Sequence, residues 1–416
     1  MAGFQKDLQY YKFCSYGFLK NLRFFEPFLM LFFLEKGMSF LQIGFLYSIR
    51  EIATNILEIP TGILADTLGR RKTMIFSFIS YIISFFIFFI SKNYGIFIIS
   101  MIFYAFGEAF RTGTHKAMIY EYLRLKGWDK YKVDYYGHTR SSSQIGSAVS
   151  SLIAASIVFY SGSYRYIFLF SAIPYILDLV LMITYPKELD GDIVKRNFSD
   201  IFKSFGDVTG DFILTLRNPK MIKTVINSSV HGGFYEAAKD FLQPVLKNLA
   251  VALPLFAAME NEKRTSLIIG IVYFFIYLLT AIGARNAGNI GGLFKNQPLY
   301  LNLTLIIGFS FGLLSGIFYN INLLFVSIIF YVFIYLNENI RKPSTVAYLS
   351  ESIKKNVLAS SLSVESQFKT LFAAIITPLM GFLADKFGVG SSLIITSSVL
   401  IIFTPLFSLK KEKTEN

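Results

Sequence analysis

In 416 residues the chain has one cysteine, one tryptophan and three histidines, and each scarcity removes a class of explanation. A single thiol, Cys14, excludes an intramolecular disulfide. With only His115, His138 and His231 to join it, a dedicated transition-metal site is not expected. No cofactor is expected either, because the chain has no Ser-His-Asp arrangement, metal-ligand spacing or phosphate-binding glycine loop that would mark an enzyme. Charge is equally sparse, at 16% of residues against 54% hydrophobic and 17% aromatic, and the mean hydropathy of +0.52 lies outside the range of soluble domains. Residues 73–91, 141–164, 265–284 and 391–409 carry no charge at all. Runs of about 20 apolar residues cross a bilayer, so the chain reads as an all-α polytopic membrane protein.

With the less clean segments added, twelve spans are expected: 13–34, 41–64, 73–91, 96–121, 137–160, 164–185, 221–247, 265–286, 298–317, 322–342, 361–384 and 391–409, numbered 1 to 12. The N-terminus lacks a basic start followed by a short apolar core and a small-residue cleavage site, so no signal peptide is expected. The formal charge of +13 could suggest nucleic acid, but its placement argues otherwise. Both termini and the loops after even-numbered spans hold 23 Lys and Arg, the opposite loops 7. The positive-inside rule then puts both termini in the cytoplasm, with the chain in the inner or plasma membrane and no nucleic-acid partner.

The longest polar connection, Pro186 to Lys220, lies at the midpoint, and Phe198, Ile201, Phe202 and Phe205 within it have the spacing of an amphipathic helix on a membrane surface. The expected organisation is a six-helix bundle over 1–185, a cytoplasmic linker over 186–220 and a second six-helix bundle over 221–416. The halves repeat. At an offset of 230, "GEAFRTGTHKAMIYEYL" (107–123) lies over "NENIRKPSTVAYLSESI" (337–353), matching Glu108 with Glu338, Arg111 with Arg341 and Glu121 with Glu351. At an offset of 217, Pro27 of "RFFEPFL" lies over Pro244 of "DFLQPVL". Such duplication marks many transporter folds.

Between spans 2 and 3 the chain reads "GILADTLGRRK" (62–72). This resembles the signature loop of the major facilitator superfamily, roughly G-x-L-A-D-x-x-G-R-R/K, and falls on a cytoplasmic loop as in that family. "AFRTGTHKAMIYEYL" in span 4 is similar to the pattern A-F-x-S-G-T-x-x-A-x-x-Y-x-x-L of a bacterial branch of it. The resemblance implies two pseudo-symmetric six-helix bundles and a cytoplasmic gate made by Gly62, Asp66, Gly69, Arg70 and Arg71, with Glu121 as ion-pair partner of Arg70. Gly62 is expected to permit close helix approach, and Asp66 to accept backbone N–H groups at a helix start. A second "GFLADKFG" (381–388) follows span 11 on the opposite side, so Asp385 is read as a helix-end residue.

Charges inside the spans are concentrated on every third one. Span 1 has Lys20, Arg23 and Glu26; span 4 has Glu108, Arg111, His115 and Lys116; span 7 has Glu236, Lys239 and Asp240 after Gly232-Gly233; span 10 has Glu338, Arg341 and Lys342. At about 100° per residue, Tyr104, Glu108, Arg111 and His115 fall within about 60° of one another. A central charge facing lipid costs ~2.5–3.5 kcal/mol, so these groups should line a hydrated cavity or pair within the bundle. Major facilitator proteins line their path with spans 1, 4, 7 and 10. The E-x-x-R spacing also allows Glu108 with Arg111, and Glu338 with Arg341, to pair along their own helix.

The expected function is a monomeric secondary transporter exporting an amphiphilic small organic molecule against protons, with Glu108 and Glu338 as proton sites and Arg111 and Arg341 holding an anionic group. The alternative is proton-coupled import of a small organic anion or nutrient, followed by a non-transporting receptor or enzyme. The expected partners are a small-molecule substrate, protons and the lipid bilayer.

Overall fold

The computed structural model describes residues 4–191, 193, 206, 210, 219–254, 258–294, 296–352 and 358–409. The amphipathic stretch expected at Phe198 to Phe205 lies outside them. Among the described residues there is no strand, and helices run in the expected order. Span 1 is built of Leu8–Lys20, the 3-10 turn Glu26–Phe28 and Leu29–Glu35. Spans 2 to 6 are Phe40–Leu68, Arg70–Ile90, the pair Tyr94–Arg111 and Thr114–Leu125, Lys132–Ser161 and Tyr166–Ile183. Span 7 is Pro219–Ala238, the 3-10 turn Lys239–Phe241 and Leu242–Ala252. Spans 8 to 12 are Asn261–Gly292, Gln297–Asn320, Leu324–Ser352, Leu358–Phe387 and Val389–Phe407. Nine of the described helical stretches are long and apolar enough to cross a membrane. The other three expected spans are the two interrupted ones, 1 and 7, and span 2, which carries Arg50, Glu51, Glu58 and Asp66.

The chain forms two compact units. Unit 1 holds Met1–Phe32, Ile49–Ser204 and Met259–Tyr277; unit 2 holds Phe33–Ser48, Phe205–Ala258 and Leu278–Asn416. Spans 1, 2 and 8 each contribute to both.

Helix contact inside unit 1 uses small polar residues, since lipid gives apolar helices no reason to prefer each other over the bilayer. On span 3, Ser77, Ser80 and Ser84 recur at helical spacing and donate to the carbonyls of Gly107, Phe103 and Ser100 on span 4, at 2.6, 2.6 and 2.8 Å. The same device in unit 2 ties span 9 to span 10, where Ser315 and Ser327 donate to each other's carbonyls at 3.0 and 2.8 Å. The start of span 2 packs on the end of span 11. Asp385 accepts the N–H groups of Phe40 and Leu41 at 2.8 and 2.9 Å, capping a helix start whose amides have no partner within their own helix. Ser48 donates to the Ala374 carbonyl at 2.9 Å, one further link along this seam.

Candidate functional site

In unit 1 the polar stripe of span 4 meets span 1. Arg111 pairs with Glu108 three residues back on its own helix, and Arg23 reaches the same carboxylate at 3.1 Å. Tyr104 donates to Glu108 at 3.4 Å, and Arg111 Nε donates to the Tyr81 hydroxyl at 3.4 Å. Glu108 is therefore bracketed by two guanidinium groups. One residue past Arg111 the helix stops: Thr112 caps it and Gly113 takes φ +76°, a backbone that side-chain-bearing residues avoid. The chain restarts at Thr114, which turns His115 and Lys116 onto a new helix face.

His115 is buried and stacks on Tyr16, ring centroids 3.5 Å apart. Tyr185 donates its hydroxyl proton to the Lys12 carbonyl at 3.3 Å, so its oxygen receives His115 Nε2–H at 3.2 Å. That network fixes the imidazole. Lys116 lies over the rings of Tyr120 and Tyr136, at 5.5 and 5.4 Å. Lys20, Arg111, His115 and Lys116 line a cavity of about 340 Å³, together with Arg140 and Gln144 of span 5. Arg23 and Glu26 are not among its lining residues.

The gate loop departs from expectation in three respects. Glu121 pairs with Arg124 at 2.6 Å, one turn along its own helix, while Arg70 donates to the Ala117 carbonyl at 3.5 Å; the Arg70–Glu121 pair is not formed. The amide of Arg71 at the start of span 3 is received by Asp190, at 2.7 Å, in the role expected of Asp66. Asp66 itself lies in the last turn of span 2. Among the described residues no atom lies within 4 Å of where a Cβ at Gly62 would stand, so no close approach to them explains this glycine. Gly69 does need to be glycine: its φ is +92°, and Asp190 lies where a side chain would begin. Arg71 reaches the Tyr185 carbonyl at 3.1 Å.

In unit 2 the E-x-x-R device comes apart. Glu338 pairs with His231 of span 7 at 2.8 Å, not with Arg341. Asn337 Nδ2 donates to the Thr304 carbonyl at 2.9 Å and to His231 Nε2 at 2.8 Å, which leaves Nδ1–H to donate to Glu338. Arg341 is only 2% exposed and spends its donors on neutral groups: the Leu301 carbonyl, Thr304 Oγ1 at 2.7 Å, and the carbonyl and side chain of Asn227. It holds helices together and has no carboxylate partner among the described residues. Glu236 accepts from Lys239 at 2.6 Å and from Lys369 of span 11 at 3.2 Å. Asp240 is buried and accepts from Gln243 at 3.4 Å. Gly232-Gly233 lies within an unbroken helix and admits Lys369 and Phe372 of span 11. Glu338, Arg341, Lys342, Glu365 and Lys369 line a second cavity of about 190 Å³.

Sequence reasoning passed over His231, Asn337, Asn227 and Arg140. A histidine flanked by apolar turns and an asparagine beside Glu338 were the available signals. Arg140 was hidden by its place near the start of span 5.

The fold and these polar interiors define a membrane transporter. The family model for the Major Facilitator Superfamily matches residues 13–368, and the chain belongs to that family. It is 21% identical over 409 residues, 97% of this chain and 96% of the other, to YxaM of Bacillus subtilis (strain 168), described as an uncharacterized MFS-type transporter. Among solved structures it is similar in fold to the nucleoside transporter NupG, with TM-score 0.77 at 14% identity over 96% of this chain and 98% of that one. A POT family transporter in complex with 5-aminolevulinic acid gives 0.69 at 16% identity, covering 95% and 93%.

Proposed function

We propose that this chain is a proton-coupled secondary transporter for a small organic solute, its cavities exposed alternately to the two sides of the membrane. The moving bodies are the six-helix halves 1–185 and 221–416, joined by the linker 186–220, with both termini in the cytoplasm as the Lys and Arg distribution requires. The protein works as a monomer in the plasma membrane.

The observation that carries this reading is the His231–Glu338 pair. A carboxylate and an imidazole share one proton-bearing contact inside apolar helices, beside a cavity, with Asn337 holding the imidazole in a single tautomer. Loading a proton onto Glu338 turns a charge-assisted bond from His231 into a weaker neutral one and changes the charge of the cavity wall, so proton occupancy and helix arrangement are linked. Glu108, locked between Arg23 and Arg111, is the poorer proton site. In proteoliposomes loaded with a pH-reporting dye and challenged with organic anions, organic cations and nucleosides, one solute class should move protons through the wild-type protein and none through Glu338→Gln. Solute flux through the wild type with no accompanying proton movement would remove the coupling.

Export of an amphiphilic solute against protons is the direction expected from the sequence. Proton-coupled uptake of an organic anion is the second reading, favoured by the cations lining the unit 1 cavity.

A further inference from the structure

The unit 1 cavity draws its cations from three separate spans: Lys20 from span 1, Arg111 and Lys116 from span 4, and Arg140 from span 5. No carboxylate is among its lining residues. Arg111 is compensated by Glu108. The other three have no ion-pair partner among the described residues. For Lys116 and Arg140, which are exposed, that is ordinary. Lys20 is different: it is 7% exposed, and the carboxylates within electrostatic reach, Glu108 and Glu26, form no ion pair with it, Glu108 being held by Arg23 and Arg111, so a ligand anion in contact with it would be favourable. Topology alone asks for basic residues in loops, not for three of them converging on one hollow.

Unit 2 supplies the contrast. Its smaller cavity sets Glu338 and Glu365 among Arg341, Lys342 and Lys369, so its charges are largely met from within. In the unit 1 cavity only Arg111 is paired, and the carboxylate that pairs it, Glu108, is shared with Arg23. Resting on the transporter reading above, we infer that it is the solute site and that its ligand is a compact organic dianion, a dicarboxylate or a phosphate monoester. Two negative charges shared among Lys20, Lys116 and Arg140 leave one cation over; a monoanion would leave two mutually repelling cations uncompensated. The stacked Tyr16 and His115 rings form an apolar wall, and Asn21, Ser143 and Gln144 offer hydrogen bonds to the rest of the solute. At about 340 Å³ the hollow is of a size for a small metabolite, at the low end of ligand pockets.

The test is binding to the purified full chain in detergent, read as a shift in apparent melting temperature across concentration. The probes are succinate, glucose 6-phosphate, benzoate, tetraphenylphosphonium and phosphatidylglycerol. Succinate or glucose 6-phosphate should stabilise the protein, and the two arms distinguish carboxylate from phosphate. Lys116→Gln and Arg140→Gln, both exposed and so not expected to disturb folding, should each weaken that dianion roughly tenfold, and Lys20→Gln by more, with affinity falling as salt rises. Stabilisation by the cation, by benzoate or by the lipid alone, or dianion binding untouched in Lys116→Gln and Arg140→Gln, overturns the inference. Dianion binding lost in those variants but without flux in proteoliposomes would sustain the site and sink the transport reading; solute flux with no dianion binding would do the reverse.

Discussion

Span 4 and span 10 carry the same E-x-x-R spacing 230 residues apart and use it in opposite ways. In span 4 the pair closes on itself, Glu108 with Arg111, and Arg23 joins from span 1. In span 10 it opens outward, Glu338 to His231 and Arg341 into a nest of carbonyl, hydroxyl and amide oxygens. The difference begins with the residues just after each arginine. Span 4 breaks at Thr112 and Gly113 just past Arg111, whereas span 10 runs on through Pro343, and Arg341, though it borders the smaller cavity, gives its donors to buried groups of neighbouring helices. A duplicated sequence device thus became a charge clamp in one half and a helix tie plus a histidine-linked acid in the other.

The sharpest way to break this contrast is Arg341→Ala. It strands several buried acceptors at once and should destabilise the protein by about 3 kcal/mol or more, seen as loss of monodisperse material and a large drop in melting temperature. Arg111→Ala, at a partly exposed residue whose partner keeps Arg23, should cost clearly less. Equal losses in the two variants would erase the distinction. Next in size is Glu108→Gln, which leaves two guanidinium groups sharing one neutral amide and should cost about 2 kcal/mol. The cost should shrink in a background that already carries Arg23→Gln, as a double-mutant cycle would report.

Gly113→Ala tests the break itself. Among the described residues no atom lies within 4 Å of the added methyl, so the penalty expected is that of the positive-φ backbone, about 1–2 kcal/mol, read from the denaturation midpoint. The smallest effect has the opposite sign. Asp178 of span 6 is fully buried and neither carboxylate oxygen has a hydrogen-bond partner among the described residues. Asp178→Leu should raise the melting temperature, by the equivalent of about 1 kcal/mol.

Much of the architecture was legible in the sequence because bilayer thickness and charge avoidance leave few choices. Uncharged runs marked the spans, and the excess of charge on spans 1, 4, 7 and 10 marked the polar interiors. Partner choice was not legible. An arginine three residues after a glutamate can pair along its helix or reach across to another, and only the backbone break at Gly113 and the placement of Asn227 and His231 decide which. The cap of span 3 was not fully legible for a related reason: the Arg71 amide is met by Asp190, over a hundred residues after the signature loop. The partner of Lys369 was similarly hidden, because its side chain passes the bare backbone of Gly232 to reach Glu236.

The seat of Asp385 against the first turn of span 2 has a mechanical corollary. Two amides and one carboxylate are satisfied by a single side chain, so parting these helices exposes all three together, and small displacements bring no compensating contact. Such a joint resists gradual sliding. Water must replace both bonds before the two helix ends can part, so one side chain latches the start of span 2 to the end of span 11.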